Sequence, residues 1–172
     1  LVDFVNIIKG RIFTDAAMTD VIPIHGMKSA PHLDFAGRMR AEVGLPTFHA
    51  ARIPDVATAR HAIATGQLDM VGMTRAHMAD PHVVQKIVEG REDDIRECIG
   101  CNICRARNNT GVPIRCTQNP TMGEEYRRGW HPEIMNPKNG YGEDPVLIVG
   151  AGPAGLECAM SLAKRGYDVA LA

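Results

Sequence analysis

Four cysteines at regular spacing are the residues of this chain best suited to chemistry. Cys98, Cys101 and Cys104 lie three positions apart, and Cys116 follows after eleven intervening residues. The fifth cysteine, Cys158, lies far downstream. Four thiolates that meet at one point can bind an inorganic centre, which would be an iron–sulfur cluster or a zinc ion.

The spacing favours a cluster. Ligands at i, i+3 and i+6 on a short loop can wrap a wide cuboidal [4Fe–4S] cluster, and a distant fourth ligand closes the site. A zinc site more often uses two C-x-x-C pairs, but Cys116 has no second cysteine beside it. A zinc-stabilised segment without redox work is the alternative. Disulfides are less favoured, because nothing in the sequence indicates secretion.

Composition limits the class of protein. The chain has 172 residues, 45% of them hydrophobic, and a formal net charge of -1. These values fit one or two globular domains and give no electrostatic case for nucleic acid or an anionic membrane as partner. No signal peptide and no apolar run long enough to span a bilayer is present, so we expect a cytoplasmic protein.

A glycine-rich turn forms the second motif. An apolar stretch from Pro145 leads into G-x-G-x-x-G at Gly150, Gly152 and Gly155, and a helical pattern follows. In such motifs the first glycine makes a tight turn, the second lets the backbone approach a pyrophosphate, and the third lets the helix pack on the strand. The stretch 145–172 therefore predicts the first βαβ unit of a dinucleotide-binding domain.

Strands and helices alternate before the cysteines. The predicted strands are 1–8, 46–51 and 68–72, and the predicted helices are 32–43, 55–63 and 80–90. Residues between 9 and 30 are predicted as an irregular loop. Serial strand–helix units predict an α/β fold with parallel strands, either an open doubly wound sheet or a (β/α)8 barrel. The chain also starts and stops within strands, which indicates a fragment of a longer polypeptide.

Loops that follow the strands carry side chains able to meet a ligand. Arg75 directly follows the third strand, where its guanidinium could bind a phosphate together with backbone N–H groups. A surface salt bridge with Asp80 or a neighbouring carboxylate is the alternative. His25 and His49 could face a cofactor or substrate, although a structural histidine is the commoner case.

The order of these parts resembles a known family. The residues that carry the resemblance are 48–52, 69–81, 93–104, 116–119, 123–133 and 146–155. Together they resemble the iron–sulfur flavoproteins related to trimethylamine, dimethylamine and histamine dehydrogenases and to 2,4-dienoyl-CoA reductase, with an old yellow enzyme-like barrel. Residues 123–133 resemble the amine-dehydrogenase branch in particular, and 48–52 with 69–81 resemble the barrels of N-methyl amino-acid demethylases.

The resemblance implies a domain organisation. Residues 1–92 would be the last three strand–helix units of a TIM-type FMN barrel, and 93–135 would be the iron–sulfur segment. Residues 136–144 would be a linker, and 145–172 the start of a domain that binds FAD or ADP. An isolated chain of this kind would be inactive, because a barrel that lacks most strands cannot close.

The resemblance also implies site residues. The FMN phosphate would lie near Ala50, Ala51, Met73, Thr74 and Arg75. The [4Fe–4S] cluster would be bound by Cys98, Cys101, Cys104 and Cys116. The pyrophosphate of FAD or ADP would contact Gly150, Gly152 and Gly155. Catalytic residues remain unidentified, since the first five barrel strands would lie outside this chain.

The implied activity is oxidation of an amine or N-methylated amino acid, with electrons passing from flavin to cluster. The partners would be a small amine substrate and a protein electron acceptor. The resemblance also allows a homo-oligomer. Neither nucleic acid nor membrane is expected. An NAD(P)H-dependent enoyl reductase of the 2,4-dienoyl-CoA type is the alternative within the same family.

Overall fold

The computed structural model describes residues 1–138 and 144–172. The chain forms two compact units, Leu1–Gly123 and Glu124–Ala172. This division falls inside the predicted iron–sulfur segment 93–135, so all four clustered cysteines belong to the first unit. Of the predicted linker 136–144, residues 139–143 lie outside the described part of the chain.

A three-stranded parallel sheet lies at the centre of the first unit. Its strands are β1 (Val5–Ile7), β2 (Thr47–Ala50) and β3 (Met70–Gly72), in that spatial order. Phe48 of β2 pairs with Asn6 on one side and with Met70 on the other. The parallel arrangement predicted from the alternating elements is therefore confirmed, although each strand is shorter than predicted.

Helices connect and cover these strands. In chain order they are α1 (Asp15–Val21), α2 (Leu33–Val43), α3 (Val56–Ala64), α4 (Thr74–Ala79), α5 (Val83–Val88) and α6 (Ile103–Asn109), with a 3-10 turn at Glu92–Asp94 between α5 and α6. The boundaries of α2 and α3 follow from their caps. Gly44 ends α2 in the left-handed conformation (φ 65°), and the Asp55 carboxylate accepts the Thr58 N–H at 2.7 Å to begin α3.

Three predictions of secondary structure were wrong: two helices were predicted as loops, and one helix begins later than predicted. The predicted loop 9–30 contains α1, which begins where Thr14 Oγ1 accepts the Ala17 N–H at 3.1 Å. The residues after β3, predicted as a loop, form α4. The helix predicted from residue 80 begins only at Val83, because the Asp80 carboxylate caps the preceding turn by accepting the His82 N–H at 3.0 Å.

The hydrophobic core of the first unit lies between the sheet and helices α2 and α3. Its buried members are Ile7, Ala30, Leu33, Ala36, Ile53, Ala62 and Leu68. Small alanines on both helices allow close packing on the strands, as the apolar spacing of these segments predicted. This packing fixes the ends of β2 and β3, from which the candidate site is built.

An ion pair holds α2 against the amino-terminal ends of β2 and β3. Arg40 binds both carboxylate oxygens of Asp69, through Nε at 2.7 Å and Nη2 at 2.8 Å. The Thr47 N–H also donates to Asp69, at 2.8 Å. The hydrogen bond from Arg40 and that from Thr47 lower the pKa of Asp69 from 3.8 to about 2, against the opposing effect of desolvation.

The second unit contains the glycine-rich turn. Its elements are α7 (Glu125–Arg128), β4 (Val146–Ile148), α8 (Pro153–Lys164) and β5 (Val169–Leu171). Strands β4 and β5 are parallel, with Leu147 opposite Ala170. A Cβ atom on Gly155 would lie 1.8 Å from the Gly150 carbonyl oxygen, so only glycine permits this packing. In neither described range is any helix both long and apolar enough to cross a membrane.

We expect the contribution of Asp69 to stability to depend on pH. Because folding lowers the pKa of Asp69, its contribution should be complete above the ordinary value of 3.8 and be lost as the pH falls through about 2. Asp69→Asn should therefore lower the urea midpoint at neutral pH, with a deficit that shrinks between pH 4 and pH 2. Asp93→Asn, at an exposed acidic position, is the charge-matched control. An Asp69→Asn deficit that stayed constant with pH would contradict this assignment.

Candidate cofactor site

A cavity opens where β2 and β3 end. Because the strands are parallel, their carboxyl ends meet at one edge of the sheet, where α/β proteins commonly bind ligands. The cavity has a volume of about 510 Å³. All five residues predicted for the flavin phosphate line it, namely Ala50, Ala51, Met73, Thr74 and Arg75. Gly72 permits the close approach of the two strand ends, since a Cβ atom there would lie 2.7 Å from Ala50 Cβ.

Three arginines surround this cavity: Arg52, Arg75 and Arg105. Arg52 Nε donates to the Met27 carbonyl at 3.0 Å. Its Nη1 atom and the Nε atom of Arg105 are buried without a hydrogen-bond partner among the residues that the structure describes. Buried cationic donors without acceptors beside a cavity fit an anionic ligand.

Of these three arginines, the sequence predicted Arg75 as a phosphate ligand; Arg52 lies in the stretch 48–52 that carries the resemblance, and Arg105 was missed. Arg52 follows β2 as Arg75 follows β3, which is the signal that links them. Arg105 lies on α6, far along the chain. Its approach to the cavity depends on how residues 94–119, which we call the cysteine segment, fold back onto the sheet.

The turn after β2 has an unusual backbone. Arg52 adopts φ 50°, a left-handed conformation that costs a non-glycine residue about 1–2 kcal/mol. Its carbonyl accepts the Ala30 N–H at 2.7 Å, which holds the turn in place. Strained backbone of this kind concentrates where ligands bind.

The four predicted ligand cysteines surround a second, smaller cavity. Cys98, Cys101, Cys104 and Cys116 all line it, and all are unpaired thiols. Within residues 1–138 and 144–172, no three His, Cys, Asp or Glu side chains are close enough to hold a single metal ion. The four cysteines therefore share one small cavity.

Two residues that follow Cys116, Thr117 and Gln118, form hydrogen bonds with cysteine sulfur atoms. Cys101 Sγ and Thr117 Oγ1 share one at 3.3 Å, and the Gln118 N–H donates to Cys116 Sγ at 3.4 Å. Burial raises the pKa of the Cys104 thiol, against the opposing effects of the Arg105 N–H and the Arg75 charge. The surroundings of Cys104 thus disfavour an isolated thiolate at that position, which a bound cationic centre would stabilise.

A short segment, residues 22–25, holds the stretch that carries the first three cysteines, residues 98–104; we call the segment the strap and the stretch the cysteine loop. The His25 N–H donates to the Gly100 carbonyl at 2.8 Å, and His25 Nδ1 donates to the Ile99 carbonyl at 3.2 Å. The Asn102 side-chain amide donates to the Ile22 carbonyl at 3.1 Å. His25, predicted to face a cofactor or substrate, instead holds the cysteine loop.

Arg75 lies where the two cavities adjoin and lines both. Its Nη1 atom donates to the Pro23 carbonyl at 2.8 Å and also to Asn102 Oδ1. The alternative of a salt bridge with Asp80 was wrong, because Asp80 pairs with Lys86 at 2.7 Å.

That buried pair fixes the start of the cysteine segment. Asp80 is 1% exposed and Lys86 2%. Asp80 also accepts the Arg96 N–H at 3.1 Å, and Lys86 donates to the Asp94 carbonyl at 2.9 Å. Burial opposes ionisation of Asp80, but the hydrogen bond from Lys86 and the backbone donors outweigh it and lower its pKa. At the far end, the Asn119 amide donates to the Met78 carbonyl at 3.1 Å.

His49 is a structural residue within the sheet. It is 1% exposed, its Nδ1 donates to the Ile7 carbonyl at 2.7 Å, and it lines neither cavity. Burial lowers its pKa and so favours the neutral ring, while the hydrogen bond to the Ile7 carbonyl acts in the opposite direction. The prediction that His49 faces a cofactor or substrate was therefore wrong for this cavity.

A substitution at Gly100 tests how tightly the cysteine loop is packed against Arg52 and His25. It has φ +72°, and a Cβ atom there would lie 2.1 Å from Arg52 Nη1 and 3.1 Å from the His25 nitrogen. Gly100→Ala should lower the denaturant midpoint of the full-length protein by more than the cost of a left-handed alanine alone, because the end of the Arg52 side chain must move and the His25 nitrogen is a close backbone neighbour. Gly111→Ala is the matched control, because Gly111 has φ +68° with nothing within 4 Å of the added atom. Its cost should be about 1–2 kcal/mol. Equal losses in both variants would show that the close packing at Gly100 is unimportant.

Comparison with known proteins shows which enzymes this chain is similar to. Residues 145–172, which form β4, α8 and β5, match the model of the FAD binding domain family. The probable N-methylproline demethylase of Rhizobium meliloti (strain 1021) is 54% identical over 98% of this chain and 24% of its own length. Dimethylamine dehydrogenase of Hyphomicrobium sp. (strain x) is 49% identical over 80% of this chain and 19% of its own length.

A solved structure agrees with these relatives. Histamine dehydrogenase from Rhizobium sp. 4-9 superimposes with a TM-score of 0.88 at 39% identity, over 98% of this chain and 24% of that one. The chain thus spans about a quarter of the length of such relatives and shares their mixed α/β fold. The resemblance found in the sequence is confirmed: the chain is similar to about a fifth to a quarter of an N-methylproline demethylase, a dimethylamine dehydrogenase and a histamine dehydrogenase.

Proposed function

We propose that this chain is the part of a flavin-dependent oxidoreductase in which an FMN site adjoins a [4Fe–4S] site, and that the whole protein oxidises an amine or N-methylated amino acid. The observation that carries the proposal is the shared wall of the two cavities. The cavity at the sheet edge and the cavity ringed by cysteines have Arg75, Met78, Cys98 and Cys104 in common. Two redox groups bound there would be close enough to exchange electrons without an intermediate carrier.

The cavity at the sheet edge supports an FMN phosphate. Barrel enzymes bind phosphates on the loops after their last strands, and this cavity lies after β2 and β3. Arg52 and Arg105 supply buried donors that lack acceptors within the described residues. In this proposal residues 1–92 are the last three strand–helix units of a (β/α)8 barrel, and residues 93–135 are its iron–sulfur segment.

The cysteines support a cluster better than a zinc ion. A cuboidal cluster separates its four ligands, because iron and sulfide ions lie between them, whereas a tetrahedral zinc ion draws its ligands together. The four cysteines line a common space, and Cys116 has no second cysteine beside it to complete the pair that a zinc site more often uses. Hydrogen bonds from Thr117 and Gln118 to sulfur would help set the cluster potential.

The residues of this chain would bind and position the cofactors. When bound, the flavin supplies the chemistry of hydride acceptance from the substrate carbon and of single-electron release. Arg52, Arg75 and Arg105 would hold its phosphate end, and the strap would hold the cysteine loop against that site. Gly150, Gly152 and Gly155 would bind the pyrophosphate of FAD or ADP in a domain that starts at residue 145.

An amine substrate is favoured by the names of the relatives. The three relatives described above are a demethylase of N-methylproline and dehydrogenases of dimethylamine and histamine. All three compounds carry a carbon–nitrogen bond that a flavin can oxidise. The proposal extends to a protein that accepts the electrons, and it allows a homo-oligomer.

Anaerobic reduction of the full-length protein tests this function. N-methylproline, dimethylamine and histamine should be added separately, and the flavin absorbance near 450 nm followed. At least one amine should bleach the flavin faster than NADH does, because the amine is the proposed electron source. Rapid bleaching by NADH with no response to any amine would contradict the proposal and favour the enoyl-reductase alternative.

A further inference from the structure

Arg75 is placed to act on both sites at once. Within the described residues it is the cationic side chain that lines both cavities, whereas Arg52 and Arg105 line only the larger one. It is half-buried, so water and salt screen its charge less than that of a surface arginine. A guanidinium is also charged at every accessible pH, so its charge does not depend on its surroundings.

Two acceptors fix the orientation of this guanidinium. Nη1 donates to the Pro23 carbonyl at 2.8 Å and to Asn102 Oδ1. Asn102 lies between Cys101 and Cys104, in a left-handed conformation with φ 56°. Its amide nitrogen donates to the Ile22 carbonyl at 3.1 Å, so both ends of its side chain are engaged. Asn102 is therefore a positioning residue that joins Arg75 to the cysteine loop.

A fixed cation between two anionic groups couples them. Positive charge beside a cluster favours its reduced form, which carries one more negative charge. A phosphate bound in the larger cavity would pair with Arg75, and its negative charge would oppose that preference. By reciprocity, reduction of the cluster would weaken binding of the phosphate group by the same factor.

We propose that Arg75, held by Asn102, couples occupancy of the phosphate cavity to the reduction potential of the neighbouring cluster. This inference rests on the proposed function, because it requires both cofactors. It goes beyond phosphate binding, since it assigns one side chain to two redox sites. In this arrangement the phosphate-bearing flavin lowers the cluster potential when it binds, and the arginine raises it.

Potentiometry of the full-length protein, followed by EPR of the reduced cluster, tests the coupling. Arg75→Gln should shift the cluster potential to a more negative value, while Arg75→Lys, which keeps the charge, should stay closer to the wild type. Asn102→Ala should shift the potential in the same direction as Arg75→Gln but by less. Arg107→Gln is the matched control, because Arg107 lies on the same helix as Cys104, lines neither cavity and bonds the Pro113 carbonyl at 2.7 Å.

A comparison with and without flavin completes the test. Removal of FMN should raise the cluster potential in the wild type, and by less in Arg75→Gln, where only the direct effect of the phosphate charge remains. If Arg75→Gln does not fold, the flavin-dependent shift in Asn102→Ala, expected to be smaller than in the wild type, decides the question. A cluster potential indifferent to Arg75 and Asn102, in protein that contains both cofactors, would overturn the coupling alone. Protein without a cluster would overturn the proposed function as well.

Discussion

The structure depends on how the cysteine segment is held against the carboxyl edge of the parallel sheet. Four thiols from two separate stretches can serve one centre only if both stretches are fixed in place. The buried Asp80–Lys86 pair binds the start of the segment through Arg96 and Asp94, and Asn119 binds its end to the Met78 carbonyl. The strap holds its middle.

These anchors are nearly all polar contacts in partly or fully buried surroundings. Such contacts contribute modest net stability each, because desolvation opposes them, but they are directional and penalise every alternative arrangement. Asp80 and Lys86 illustrate this, since their own desolvation is offset only while each keeps its full set of partners. The anchoring therefore specifies one position for the cysteine loop more than it adds to total stability.

Patterns among residues close in sequence were sufficient to predict much of the fold. The alternating strands and helices and the glycine-rich turn were predicted from residues close in sequence, and the caps at Asp55 and Gly44 that bound two of the helices are local as well. The spacing of the first three cysteines is local in the same sense. Helix α1 was missed although Thr14 is a standard N-cap, because the glycines and prolines around it indicated a loop.

Long-range contacts could not be predicted in this way. Nothing near Asn102 indicates that its amide meets Ile22, eighty positions earlier, or that it orients Arg75. The same holds for Arg105 beside the larger cavity and for His25, which holds the cysteine loop. These residues are placed by tertiary packing, which the spacing of residue types along the chain does not record.

Iron and acid-labile sulfide, measured in full-length protein purified without oxygen, test the central claim most directly. About four of each per chain are expected, together with a reduced-state EPR signal typical of a [4Fe–4S] cluster. Cys116→Ser should lose the cluster, whereas Cys158→Ser, which changes the exposed cysteine of α8, should retain it. One zinc ion per chain without sulfide would contradict the claim.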